Sequence, residues 1–162
     1  MKPFTAKDGL RLGISVVIPL AAGFIGSIFT AKSIPTWYAG LKKSALNPPD
    51  WVFAPVWTTL YVLMGIALFL VWSKGLATPR VRTGLVLFAI QLGLNVLWSI
   101  VFFGLRSPVA GLVVIGALWL ALLITMIVFF RIALAPGLLL VPYILWVSFA
   151  SVLNFSIYWL NR

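Results

Sequence analysis

SPVAGLVVIGALWLALLITMIVFF, residues 107–130, contains no charged side chain, and past its first residue its one hydroxyl is Thr125. A helix needs about 20 mainly apolar residues to cross a hydrocarbon core about 30 Å thick, and this stretch suffices. Working outward, uncharged runs recur at 12–31, 51–73, 83–105 and within 132–161. The pattern predicts an all-α integral membrane protein: five transmembrane helices in a bundle, near 10–31, 51–73, 82–104, 108–130 and 136–160, making one domain over 1–162. A membrane barrel would alternate polar and apolar residues in segments of about 10, whereas these runs are continuous.

Composition narrows the chemistry. The chain is 63% hydrophobic and 9% charged, with a net charge of +10. Its Lys and Arg residues are scattered at helix ends instead of forming one basic run, so they are expected to meet lipid headgroups and not nucleic acid. The sequence has no Cys and no His. Disulfides, Cys or His metal sites and a His general base are therefore excluded, and no metal or obligatory cofactor is expected. The only acids are Asp8 and Asp50, too few for a carboxylate pair or a proton relay. Loops on the N-terminal side hold Lys2, Lys7, Arg11, Lys74, Arg80, Arg82 and Arg131, against Lys32, Lys42, Lys43, Arg106 and Arg162 on the other. That excess favours an inside N-terminus.

One connection stands out. Residues 37–57, rich in Trp, Tyr, Phe and Pro, form the only long polar linkage, and Pro48-Pro49 stops helix formation before Trp51. Long connections of this kind are usually lids, binding loops or disorder, and the aromatic content argues for a packed lid over the bundle. Directly after it, Trp57, Tyr61 and Met64/Gly65 share one face of the second helix. In the third helix Gln91 and Asn95 lie one turn apart, and Trp98, Ser99 and Phe102 continue their face. Amides at this depth face protein or a cavity, because lipid cannot satisfy their hydrogen bonds; interhelical bonding and cavity lining are both open. In the fifth helix Pro142, Trp146, Ala150 and Asn154 are spaced by four. Small residues four apart, Gly23 with Ser27 and Ala89 with Gly93, permit close helix contact; the Ala89/Gly93 face, opposite Gln91 and Asn95, could seat a second copy. The fourth helix reads as scaffold.

Taken together, Trp37-Tyr38, Leu41, Lys43, Pro48-Pro49, Trp51-Val52-Phe53, Pro55-Val56-Trp57-Thr58, Leu60-Tyr61, Gln91-Leu92, Asn95, Trp98, Phe102-Phe103, Pro142-Tyr143, Trp146, Ala150 and Leu153-Asn154 resemble the signature of the tryptophan-rich sensory protein family. This is the family of the mitochondrial translocator protein, also known as the peripheral benzodiazepine receptor. The resemblance implies a five-helix bundle, usually a homodimer, whose ligand cavity is closed by the loop between the first two helices. It implies porphyrin ligands such as protoporphyrin IX and haem, sterols in animal members, and benzodiazepine-site drugs. Carried over, the ligand-binding residues would be Tyr38, Pro48, Phe53, Trp57, Tyr61, Asn95, Trp98, Phe102, Trp146 and Ala150. Some bacterial members promote light-dependent oxidative breakdown of protoporphyrin, which would give Trp57 and Trp146 a catalytic role. Two departures are Lys43-Ser44 and Leu46, where many relatives have Lys-Pro followed by an aromatic residue, and Phe155, where animal members have Tyr. The second weakens the case for sterol at the C-terminal tail, although Val152 or Leu153, Tyr158 and Arg162 satisfy a proposed sterol pattern.

Three functions follow for a multi-pass protein expected in a prokaryotic cell membrane. A receptor or sensor would grip a flat tetrapyrrole by stacking; an enzyme would degrade it photochemically, porphyrin then being substrate; a transporter would move porphyrin- or sterol-like molecules. A channel for small cations would need charged residues within the membrane, and the apolar runs hold none.

Overall fold

The computed structural model describes residues 5–162; Lys2 lies outside them. Its helices are α1 (Ala6–Ser33), α2 (Phe53–Trp72), α3 (Pro79–Ser99), α4 (Pro108–Ile132) and α5 (Leu134–Leu160). All five are long and apolar enough to span a bilayer, so the chain is a multi-pass membrane protein. Helix neighbours close a ring in the order α1, α2, α5, α4, α3 and back to α1. The ring is filled by Met64, Leu118, Leu122, Phe129, Leu140 and Tyr143, all almost wholly buried.

Local chemistry sets the helix ends. α1 begins at Ala6, earlier than hydropathy implies, because Thr5 and Asp8 form a capping box: the Asp8 N–H donates to Thr5 Oγ1 and the Thr5 N–H to Asp8 Oδ2. Charged residues are thus carried on a helical turn beyond the apolar run. α3 and α4 each start on a proline whose missing N–H costs nothing at a first turn, Pro79 and Pro108. Ser107 adds a side-chain cap to α4 by accepting from the Ala110 N–H.

Two departures from regular helix shape the interior. After Ser99, α3 widens into a π turn, Ile100–Gly104, closed by the Leu105 N–H on the Ile100 carbonyl. The wider turn lets the successive rings of Phe102 and Phe103 both turn inward, each almost fully buried. Ser33 at the end of α1 donates to the Phe103 carbonyl at 2.6 Å, tying the π turn to its neighbour. α1 and α2, meanwhile, approach closely: a side chain at Gly65 would stand 2.5 Å from Val16 Cα, and one at Gly23 would overlap the Tyr61 ring.

The connection between α1 and α2, residues 34–52, contains two short helical turns, Tyr38–Gly40 and Asp50–Val52. It is anchored at several points. Tyr38 packs on Phe102 and Phe103, and its hydroxyl donates to Asn47 Oδ1 at 2.7 Å. Midway along, the Lys42 N–H donates to Asn161 Oδ1 and Asn161 Nδ2 donates back to the Lys42 carbonyl, both at 2.9 Å. The loop is thereby fastened to the end of α5.

Candidate functional site

Beneath this loop lies a cavity of about 440 Å³, within the range of small-molecule sites. α1 supplies one wall, from Leu20 through Gly23, Phe24, Ser27 and Thr30 to Ile34. α2 supplies Phe53, Trp57 and Tyr61, α3 Trp98 and Ser99, the π turn Phe103, and Tyr38 covers one end. The lining is overwhelmingly apolar and aromatic, which suits a hydrophobic ligand.

The aromatic walls are braced from behind. Trp57 stacks on Tyr61 with ring centroids 5.5 Å apart and 26° between planes. Trp57 also makes edge-to-face contacts with Tyr143 at 6.2 Å and Trp146 at 6.5 Å, the two indoles lying almost perpendicular at 89°. Trp146 also meets Phe53 at 6.1 Å. At the α3 end Trp98 stacks on Phe102 at 5.3 Å, and its indole N–H donates to Asn154 Oδ1 at 3.1 Å. Each such ring pair contributes about 0.5 to 1.5 kcal/mol beyond the area it buries, so the walls are held by mutual contact before any ligand arrives.

A buried polar relay fixes Tyr61. Its hydroxyl donates to Asn95 Oδ1 at 2.7 Å, and Asn95 Nδ2 donates to the Tyr143 hydroxyl at 2.9 Å, so α2, α3 and α5 share one amide. Asn95 therefore acts as interhelical glue one layer behind the cavity surface. Gln91, a turn below, is fully buried, and neither amide atom has a hydrogen-bond partner among the described residues. Nor does it border the cavity. In the loop, burial chiefly, with Asp50 adding to it, pushes the Tyr38 phenol up to about 12 against the lowering effect of its Asn47 bond.

Of the ten residues expected at a ligand site, Tyr38, Phe53, Trp57, Tyr61 and Trp98 border this cavity. Phe102, Asn95 and Trp146 stand directly behind them, each touching a lining residue. Ala150 is buried in α5, and Pro48 lies half-buried in the loop, where its carbonyl accepts from Asn47 Nδ2. The α1 wall was not anticipated. Its signal was the spacing of Gly23, Ser27 and Thr30, which reads equally well as helix packing. Phe103 was likewise hidden, since regular helical geometry turns only one of two adjacent rings inward, and the π turn admits both.

Comparison with known proteins agrees with the architecture. A family model described as TspO/MBR family matches residues 15–160. The chain is 51% identical over 155 residues to the tryptophan-rich protein TspO of Chlorobaculum tepidum, covering 96% of this chain and 98% of the relative. It is 50% identical over 153 residues to that of Archaeoglobus fulgidus, covering 94% and 97%. It is also 36% identical over 141 residues to the human translocator protein, covering 86% and 83%.

Proposed function

Because this chain belongs to the TspO/MBR family and carries an aromatic ligand cavity, we propose that it is a membrane receptor or sensor for porphyrins, protoporphyrin IX and haem foremost. Its relatives at about half identity are bacterial and archaeal, in keeping with a prokaryotic membrane. The observation that carries the reading is the aromatic surface of the cavity, in whose lining Trp57 and Tyr61, stacked on one another, stand with Phe53, Trp98, Phe103 and Tyr38. Such a surface holds a planar conjugated ring by stacking and dispersion. With no His or Cys in the sequence, the grip does not rely on the common protein ligands of haem iron. Sterols and benzodiazepine-site drugs share the apolar, largely planar character and are secondary candidates. Titration of protoporphyrin IX and of haem, followed by tryptophan quenching, tests the reading. Similar affinities are expected, and strong selectivity for haem would point to iron ligation by Tyr or Met.

A second reading, light-driven breakdown of protoporphyrin, is favoured by the Trp57–Trp146 contact at 6.5 Å. An indole at the wall gives one electron to the photoexcited ring, dioxygen takes that electron from the reduced ring as superoxide, and the hole, passed to the indole behind, is filled by an electron from a ground-state porphyrin, so that the net change is one-electron oxidation of the porphyrin by dioxygen. The Trp146 indole N–H is buried without an acceptor among the described residues, which leaves a hydrogen-bond donor free beside that pair.

A further inference from the structure

We infer that the cavity exchanges its ligand with the bilayer through a lateral portal between α1 and α2, gated by Phe24, and not with water past the loop; the inference rests on the porphyrin reading above. α1 and α2 come into tight contact at two glycines. Gly65 lies against the α1 backbone at Val16, and Gly23 lies under the Tyr61 ring. Beyond that level, toward the loop, the cavity separates them. Phe24, Ser27 and Ala31 on α1, and Ala54 and Thr58 on α2, border the cavity and are themselves exposed. Residues that do both stand at a mouth. Phe24, 70% exposed, is the one large side chain among them.

The mouth is built for lipid and not for water. Ser27 Oγ donates to the Phe24 carbonyl at 2.7 Å, Thr58 Oγ1 to the Ala54 carbonyl at 2.8 Å, and Thr30 Oγ1, just inside, to the Gly26 carbonyl at 3.1 Å. Each hydroxyl is thus satisfied within its own helix, as a surface bathed in hydrocarbon requires. What remains facing outward is methyl, methylene and ring.

The opposite route is blocked. Tyr38 at the loop end of the cavity is only 4% exposed. Its ring is wedged against Phe102 and Phe103 beneath the Lys43 ammonium, 4.5 Å from its centroid, and its hydroxyl is held by Asn47. The two-way Lys42–Asn161 clamp holds the next segment. Passage there demands that these contacts break together, whereas clearing the portal requires rotation of one exposed ring, a far faster motion than displacement of a loop.

The absence of cysteine lets two thiol pairs be placed without background. Ser27→Cys with Thr58→Cys, joined by a bifunctional maleimide, bridges the mouth; Lys42→Cys with Asn161→Cys, joined likewise, pins the loop. Vesicles holding the protein are mixed with vesicles preloaded with protoporphyrin IX to follow association, and porphyrin-loaded protein vesicles with an excess of empty ones to follow dissociation, both by stopped-flow tryptophan quenching, each bridged sample against its own unbridged form. The mouth bridge is expected to slow association and dissociation together by about tenfold or more, well inside the range association rates span among related variants. The loop bridge is expected to leave both rates unchanged. Phe24→Ala should speed both. Slowing by the loop bridge alone, or by neither bridge, overturns the portal, as does an affinity loss at the mouth bridge with dissociation no slower. A slow mouth bridge with Phe24→Ala unchanged removes Phe24 as the gate. Unbridged protein that shows no quenching at all overturns the porphyrin reading itself, and the portal with it.

Discussion

The Tyr61 hydroxyl and the Asn95 amide oxygen lie 2.7 Å apart in the middle of the bundle, joining the stacked wall of the cavity to the core. Asn95 serves two hydroxyls, Tyr61 and Tyr143, from one side chain. Removing it leaves both buried hydroxyls without that partner, while removing the Tyr61 hydroxyl leaves Asn95 still bonded to Tyr143. Asn95→Ala should therefore destabilise by about 1 to 3 kcal/mol and Tyr61→Phe by about 1 kcal/mol or less. Reversible unfolding in mixed micelles gives both values. Equal losses would show that the relay does not bind the three helices as a unit.

Gly23 allows the Tyr61 ring to lie against α1, where any Cβ would overlap it. The ring cannot retreat freely, being stacked on Trp57 and bonded to Asn95. Gly23→Ala is expected to lower thermal stability and weaken porphyrin binding several-fold, since over-packing costs about 1 to 3 kcal/mol. A variant with unchanged melting and affinity would mean that the ring has slack.

Gly93 offers the contrast, because a Cβ there meets nothing within 4 Å. With Ala89 it is exposed and borders an outer groove between α1 and α3. If two copies pair along this face, as its small residues allow, Gly93→Leu should yield monomers in detergent, read by light scattering, with porphyrin affinity kept because Asn95 faces inward. A dimer that survives moves the seam to another helix.

The two functional readings separate at Trp57 and Trp146. Phe retains a stacking face, so Trp57→Phe and Trp146→Phe should each change affinity by about 1 kcal/mol or less. Phe is far harder to oxidise than indole, so loss of the porphyrin band under light should slow sharply in both if the indoles supply electrons. Bleaching at the wild-type rate in the double variant would leave the receptor reading alone.

The Tyr38 phenol provides a pH handle on the loop. Its value in the folded protein, about 12, lies above the ordinary tyrosine value of about 10. The unfolded chain therefore loses this proton first, and the stability the group contributes is complete below pH 10 and declines as pH rises toward 12. Thermal melts over that range should fall more steeply for the native chain than for Tyr38→Phe, the difference excluding lysines common to both. Parallel curves would show that Tyr38 does not carry the alkaline loss.

What the sequence determined by itself was everything that depends on solvent. Five uncharged runs long enough to span a bilayer have one low-energy arrangement, because backbone N–H and C=O groups in hydrocarbon must pair within their own segment. The aromatic faces of α2, α3 and α5 were legible for a related reason: Trp57, Tyr61, Asn95, Trp98 and Trp146 recur at helical spacing, and side chains so spaced share a face. Which of those rings meets the cavity was decided by tertiary structure. The π turn after Ser99 brings Phe103 into the lining, with Phe102 packed behind it, and local periodicity carries no sign of it. The α1 wall depends on how closely two helices approach at Gly23 and Gly65, a distance set by both partners and visible in neither alone. The same holds for the Asn161 clamp on Lys42, which joins residues far apart in the chain.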